Sequence, residues 1–223
     1  MFSIAIDGPA GAGKSTIAKK LAQQLQCVYV DTGAMYRSVG YYCMTQHIDI
    51  LDEKEVSAAL NHLEIELKQN NEGQCIFLNG EDVSDKIRKG EIAAAASRVA
   101  TYKTVRQYLV QRQQAMAQSI SIIMDGRDIG TVVLPHATLK IFLTASVEER
   151  ALRRFKEYKE KGIACELKHL ENEIALRDAQ DAGREISPLR KAVDAIELDT
   201  THLQIDEIVE QIHHLLKQRL EEE

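Results

Sequence analysis

Gly8-Pro9-Ala10-Gly11-Ala12-Gly13-Lys14-Ser15 has the spacing G-x-x-x-x-G-K-[ST], and Thr16 follows it. Each residue type in that run has a task in holding a polyphosphate. Glycines let the backbone curl until several N–H groups point at one anion. A helix opening near Gly13 adds the positive end of its dipole. Lys14 would reach the β- and γ-phosphates of a nucleoside triphosphate, and the Ser15 hydroxyl would take Mg²⁺. A glycine-rich turn that binds nothing is the bland alternative. A second cluster is Arg177, Asp178, Asp181 and Arg184. Positions 177, 181 and 184 stand at i, i+4, i+7, which predicts one shared helix face. Taken alone, that cluster reads equally well as a surface ion-pair ladder of little energetic weight. The run from Glu148 to Lys161 carries Arg150, Arg153, Arg154, Lys156, Lys159 and Lys161. Most such runs are solvated helix faces.

The elements around these residues decide between the readings. Phe2 to Ile6 is short, apolar and rich in branched side chains, as a buried parallel strand should be. Ile17, Ala18, Leu21, Ala22 and Leu25 recur at helical spacing and predict a helix over 14–25. The glycine run therefore lies between a strand and a helix, where a phosphate-binding loop (P-loop) requires it. Further strands are expected at 27–30, 121–124, 140–143 and, more weakly, 195–198, with helices over 33–46 and from Ile205 to Leu216. Such alternation predicts an α/β fold, a parallel sheet flanked by helices. Ligands in such sheets bind at the carboxyl ends of the strands. Those ends are Asp7-Gly8, Asp31-Thr32 and Asp125-Gly126. One region departs from the pattern. His62 to Lys68 and the stretch around Cys75–Leu78 alternate apolar and polar about the turn residues Asn70-Asn71-Glu72-Gly73, followed by an alanine-rich helix near 90–100. They predict an antiparallel hairpin inserted into the core over roughly 62–98.

Bulk properties bound the function. The chain has 223 residues, enough for one domain with a small insert, and its 44% hydrophobic and 28% charged residues are ordinary for a globular protein. A net charge of −6 argues against a protein dominated by binding nucleic acid polymers. Cys27, Cys43, Cys75 and Cys165 are scattered without a C-x-x-C pair, which suggests reduced thiols rather than a disulfide or zinc framework. The chain enters its first strand at once, and no apolar run approaches a membrane span. A cytoplasmic protein acting away from membranes is expected. The P-loop implies a nucleoside triphosphate but not its fate. A GTPase should carry N-K-x-D, and none is present. Scattered arginines suit another task, bringing a triphosphate and a monophosphate together, because the concentrated negative charge needs planar, permanently charged guanidinium groups.

Over essentially its whole length the chain resembles the bacterial cytidylate kinases, within the nucleoside-monophosphate kinase family. The motifs that carry the likeness are IDGPAGAGKST at 6–16, DTGAMYR at 31–37, LNGEDVS at 78–84 and DGRDIGTVV at 125–133. KIFLTAS at 140–146, SVEERALRR at 146–154 and the R-D-x-x-D-x-x-R run at 177–184 complete the set. The resemblance implies a P-loop kinase core over 1–61 and 99–223, a monophosphate-binding insert at 62–98, and a helical lid at about 150–165 that closes on ATP. It implies that Thr32, Arg106 and Asp128 contact the cytosine base and that Arg37, Arg127 and Arg184 hold the acceptor phosphate. Asp181, with Arg177 beside it, matches the group that meets the ribose hydroxyls. The family often has Ser where Thr32 stands; the hydroxyl survives. Within the lid, Arg150 and Arg154 are the candidates for contact with ATP. Asp125, ending an apolar strand, is the candidate for orienting Mg²⁺ through water.

The implied reaction is phosphoryl transfer from ATP to CMP or dCMP, with Lys14, Arg127 and Arg184 as the catalytic charges and a monomer as the working form. Transfer needs positioning, charge neutralisation and exclusion of water, hence movement of insert and lid. Two alternatives stand beside it. The acceptor could be UMP or AMP, or the chain could be an ATP-binding switch without catalysis. The arginine-rich acceptor site argues against a switch, which has no need of a second phosphate pocket.

Overall fold

The structure, a computed structural model, describes residues 1–70 and 73–222. In chain order, β1 is Ser3–Asp7, α1 Lys14–Leu25, β2 Val28–Asp31, α2 Thr32–Thr45, α3 Glu53–Ala59, β3 Ile65–Asn70 and β4 Gly73–Leu78. Then come β5 Glu81–Asp82, α4 Gly90–Val99, α5 Lys103–Met116, β6 Ile122–Gly126, β7 Leu139–Thr144, α6 Val147–Glu160, α7 Leu167–Ala182, β8 Ile196–Asp199 and α8 Ile205–Glu222. A π-helical turn, Ile129–Val133, follows β6. The chain divides into two compact units, residues 1–28 with 120–223, and residues 29–119. No helix among the described residues is long and apolar enough to cross a membrane.

The strands of the first unit lie side by side in the order β6-β1-β7-β8, all parallel. β1 runs parallel to β6 (Ser3 opposite Ile122, Asp7 opposite Gly126) and to β7 (Ile4 opposite Leu139). Ile4, Ala5 and Ile6 of β1 and Ile122, Ile123 and Met124 of β6 are buried, which is why these strands read as continuous apolar runs rather than alternating ones. β8, at the edge, alternates half-buried and exposed residues, and its sequence signal is correspondingly weaker. α1 turns Ile17, Ala18, Leu21 and Ala22 inward and packs on β6 and on α8, whose Ile208, Val209, Ile212 and Leu216 are buried. A Lys20–Asp206 ion pair joins the outer sides of α1 and α8.

In the second unit, β3, β4 and β5 form an antiparallel sheet with Ile65 opposite Leu78 and Leu67 opposite Ile76. The expected hairpin is therefore present; Asn71 and Glu72 of its turn lie outside the described residues. The expected alanine-rich helix is α4, which packs on α2 through Ile92, Ala95, Ala96 and Val99. The sequence did not single out α5. Its inward face holds Val105 and Leu109 but also Arg106 and Gln113, so polar residues at core positions blur the apolar stripe.

One expectation fails. α7 ends at Ala182, and Arg184 does not share a helix face with Arg177 and Asp181. Glycine is a poor helix residue. The Gly183 amide makes a last bond to the Ala179 carbonyl (2.9 Å), and the chain then turns until the Leu189 amide bonds the Asp181 carbonyl (2.9 Å). Arg184 nevertheless reaches Asp181, from the turn rather than from the helix.

Candidate active site

In the first unit the loop after β1 takes the shape its glycines allow. Gly8 has φ +149°, and a Cβ there would sit 2.2 Å from the Leu143 carbonyl oxygen, so only glycine lets β1 and β7 approach so closely. Gly13 caps α1 in the left-handed region (φ 85°) and brings no side chain to the amides of the first turn. A helix start without a side-chain cap is a ready anion site. Lys14, the first residue of α1, is buried, and its Nζ donates to the Pro9 carbonyl (2.7 Å). Burial lowers its pKa, and the nearby Arg127 lowers it further against the pull of Asp125, Asp7 and Asp181. A desolvated ammonium beside a guanidinium is a strong attractor for polyphosphate, which would restore its proton affinity.

Ser15 Oγ donates to Asp125 Oδ2 at 2.9 Å, and Asp125 is buried at the end of β6. A hydroxyl and a carboxylate at the start of the phosphate-binding helix are hard oxygen donors. They fit Mg²⁺, which keeps several waters and takes few protein ligands beside phosphate oxygens.

The R-D-x-x-D-x-x-R run is no surface ladder. The Asp181 side chain is 2% exposed and accepts from Arg127 Nε (2.7 Å) and from Arg184 Nη2. Burial alone would raise the Asp181 carboxyl, but Arg127, Arg184 and Arg177 outweigh it and hold the group below the ordinary carboxylate value. Arg127, from the end of β6, and Arg184, from beyond α7, are thus brought together on one carboxylate.

The charged run of α6 splits in two. Lys156, Lys159 and Lys161 are exposed. Arg150, with its side chain 4% exposed, is held at three points: Nε to the Ala145 carbonyl (2.9 Å), Nη1 to the Ala10 carbonyl of the P-loop (2.9 Å), and Nη2 to Asp178 Oδ2 (2.6 Å). Arg154 pairs with Glu173 (3.0 Å) and with the Tyr158 hydroxyl (2.8 Å), and Arg153 with Glu149 (3.0 Å). Arg150 is thus tied both to the P-loop backbone and to α7. The Arg150–Asp178 partnership, which joins α6 to α7, has no signal in the sequence beyond two unlike charges far apart.

In the second unit, Asp31 accepts from the Ala34 amide (2.8 Å), capping α2, and its other oxygen accepts from Arg37 Nη2 (2.8 Å). Arg37 Nε is buried without a hydrogen-bond partner, a donor suited to an incoming anion. Thr32 is buried in the first turn of α2. Arg106, 4% exposed, donates to the Ala100 carbonyl (3.2 Å) and lies over the Tyr36 ring. Gln74 binds both the Tyr29 carbonyl and the Asp31 amide (3.0 Å), tying β4 to β2 just before α2 begins.

One residue was seen in the sequence only as a strand end. Asp7 is 4% exposed and accepts from the amides of Ile129 (2.8 Å) and Gly130 (2.7 Å), directly after Asp128. An acid closing an apolar strand is the signal that singled out Asp125, and it applies equally to Asp7.

The family model for cytidylate kinase matches residues 4–218. Similar proteins include a cytidylate kinase of Anoxybacillus flavithermus, 50% identical over 220 residues and covering 99% of this chain and 98% of that one. Another is a cytidylate kinase of Bacillus velezensis, 52% identical over 218 residues, with 98% and 97% covered. Among solved structures, a shikimate kinase from Acinetobacter baumannii shares the fold, with a TM-score of 0.50 at 15% identity over 98% of this chain and 94% of that one.

Proposed function

The chain belongs to the cytidylate kinase family, enzymes that phosphorylate nucleoside monophosphates, and from that premise we propose that it moves the γ-phosphoryl group of ATP to CMP and dCMP, giving CDP and dCDP. The observation that carries this reading is the charge arrangement of the first unit. Arg127 and Arg184 are gathered on Asp181, close enough to Lys14 for Arg127 and Asp181 to act on its proton affinity. Donor-side and acceptor-side cations in one field suit transfer between two phosphates.

The P-loop, Gly8 to Thr16, takes the ATP phosphates on the amides at the start of α1, with Lys14 as the charge that follows the transferred group. Ser15 and Asp125 would hold Mg²⁺, which when bound neutralises phosphate charge. Arg127 and Arg184, with Arg37, take the acceptor phosphate. Asp181, with Arg177, meets the ribose. Thr32, Arg106 and Asp128 read the base. A carboxylate at Asp128 accepts from the cytosine amino group, and the Arg106 and Thr32 donors serve N3 or O2. Uracil presents the opposite pattern and leaves both partners mismatched. Arg154 is the lid arginine assigned to ATP. Arg150 acts by holding the P-loop through Ala10. The insert at 62–98 and the stretch at about 150–165 serve to exclude water, which would otherwise accept the phosphoryl group.

The test is a panel of CMP, dCMP, UMP, AMP and GMP in an assay coupled to ADP release. CMP and dCMP should be used far better than UMP, with almost no turnover of AMP or GMP. Asp128→Ala should lower CMP use and narrow the gap to UMP. Equal efficiency on CMP and UMP in the unmutated protein would refute the base-reading model, and no ADP with any acceptor would leave a nucleotide-binding switch.

A further inference from the structure

Asp7 has no task in the phosphoryl transfer set out above, yet its carboxylate is buried among groups that do. It ends β1 and immediately precedes Gly8, the first residue of the P-loop. Its two oxygens take the amides of Ile129 and Gly130, one each, at 2.8 and 2.7 Å. These residues open the π-helical turn, and the Asp128 carbonyl closes it by accepting from Val132 (2.9 Å) and Val133 (3.2 Å). On the other side, Arg127 Nη1 lies 3.4 Å from the Gly126 carbonyl, and Gly126 pairs with Asp7 in the sheet. Arg127 and Asp128 thus lie between Gly126, paired with the Asp7 backbone, and the two amides held by the Asp7 carboxylate.

The bond set needs a close approach. A Cβ on Gly130 would stand 3.2 Å from Lys140 Cδ and 3.4 Å from Asp7 Oδ2, tighter than ordinary contact at the first and at its limit at the second. The carboxylate is also costly where it stands. Burial raises its pKa to about 6 even though both amides favour the charged form, with Asp128 raising it and Lys14 lowering it. An apolar side chain would be cheaper for the fold, but it would leave two buried amides unpaired.

We infer that Asp7 is a positioning residue of the acceptor site: by holding the Ile129 and Gly130 amides it fixes the turn that aims Arg127 and Asp128, and it sets their distance from the P-loop that begins at the next residue. This rests on the reading that gives Arg127 and Asp128 to the acceptor nucleotide. A link of this kind matters because small misplacement of a reacting group costs large factors in rate.

The experiment uses Asp7→Asn and Gly130→Ala. An amide at position 7 keeps one acceptor and turns an NH₂ toward the other amide. Alanine at 130 keeps the charge and shifts the contact by a few tenths of an ångström. For Asp7→Asn, KM for CMP should rise about tenfold or more, KM for ATP should stay within about twofold, and the preference for CMP over UMP should shrink. Gly130→Ala should do the same more weakly. Loss of folded protein alone would lower kcat and leave both KM values in place, so the split separates aim from stability. Should neither variant fold, amide exchange in the unmutated protein decides. Strong protection at Ile129 and Gly130 that increases with CMP supports the assignment, and exchange at the rate of an exposed loop overturns it. Unchanged KM for CMP in folded variants also overturns it. If the unmutated enzyme fails to prefer CMP, the base-reading model itself is at fault. If it prefers CMP and Asp128→Ala removes the preference while position 7 does nothing, only the role of Asp7 falls.

Discussion

Asp181→Asn is the sharpest probe of the arginine cluster. The carboxylate is 2% exposed and serves Arg127 Nε at 2.7 Å together with Arg184 Nη2. An amide keeps one acceptor oxygen and presents a donor to the second guanidinium. One charge-assisted bond is lost, worth about 1.5–3 kcal/mol, and a buried cation is left poorly compensated. A cost of about 2–3 kcal/mol is expected. For a chain of 223 residues, with unfolding entropy of about 2.1 cal/mol/K per residue, that lowers Tm by about 4–6 °C. The same energy, read as lost aim of Arg127 and Arg184, lowers kcat/KM for CMP by about 30- to 150-fold. Affinity for a non-hydrolysable ATP analogue, measured alone by calorimetry, should change less than about threefold, since the P-loop is intact. The neighbouring arginines hold the Asp181 carboxyl below its ordinary value of 3.8, so its contribution is complete above that value and is lost only as pH falls through the depressed one. An assay near neutrality therefore sees it in full. A drop in Tm with kcat/KM for CMP unchanged would make the cluster purely structural and refute its role in the acceptor site.

Lys14→Ala should lower kcat by about a hundredfold or more, the scale of one preorganised electrostatic contact. It should leave Tm unchanged or higher, because a buried, proton-reluctant ammonium is removed; near-normal turnover in the folded variant would take Lys14 out of the mechanism. Arg150→Lys can keep only one of three anchors, to Ala145, Ala10 and Asp178. It should cost about 2 kcal/mol, or about 4 °C in Tm, with a several-fold rise in KM for ATP; a thousandfold loss of ATP affinity would mean direct contact with phosphate. Asp7 binds its proton more tightly folded (about 6) than unfolded (3.8), so its contribution to stability falls as pH rises between those values, by about 3 kcal/mol in all. Urea unfolding of the unmutated protein and Asp7→Asn at pH 4, 5 and 7.5 should show their difference shrinking or changing sign across that window, and a difference independent of pH would remove the effect from Asp7, which faces Asp128 and Lys14.

Much of this was legible because the chemistry and the local backbone come from the same residues. The P-loop needs glycines at fixed offsets, and its glycines, lysine and serine are adjacent in the chain; α1 spans the predicted 14–25. The central strands were legible because burial on both faces demands unbroken apolar runs, and the hairpin because a half-exposed sheet demands alternation. Composition and the ordered motifs pointed to a kinase of nucleoside monophosphates before any side chain was placed.

Tertiary structure decided what long separations conceal. Nothing local shows that Asp7 would meet amides at 129 and 130, that Arg150 would be spent on Ala10 and Asp178 instead of solvent, or that Asp181 would be buried between two arginines. Helical spacing even gave Arg184 the wrong element, because a periodicity rule continues through Gly183 while the backbone does not. α5 escaped notice because Arg106 and Gln113 occupy positions where the rule expects apolar side chains. The physical reason is common to all of them. Backbone preference and hydrophobic period act over a few residues and are written in order along the chain. The environment of a buried charge is set by whichever segments the fold brings within a few ångströms, and that is settled only when the whole core has packed.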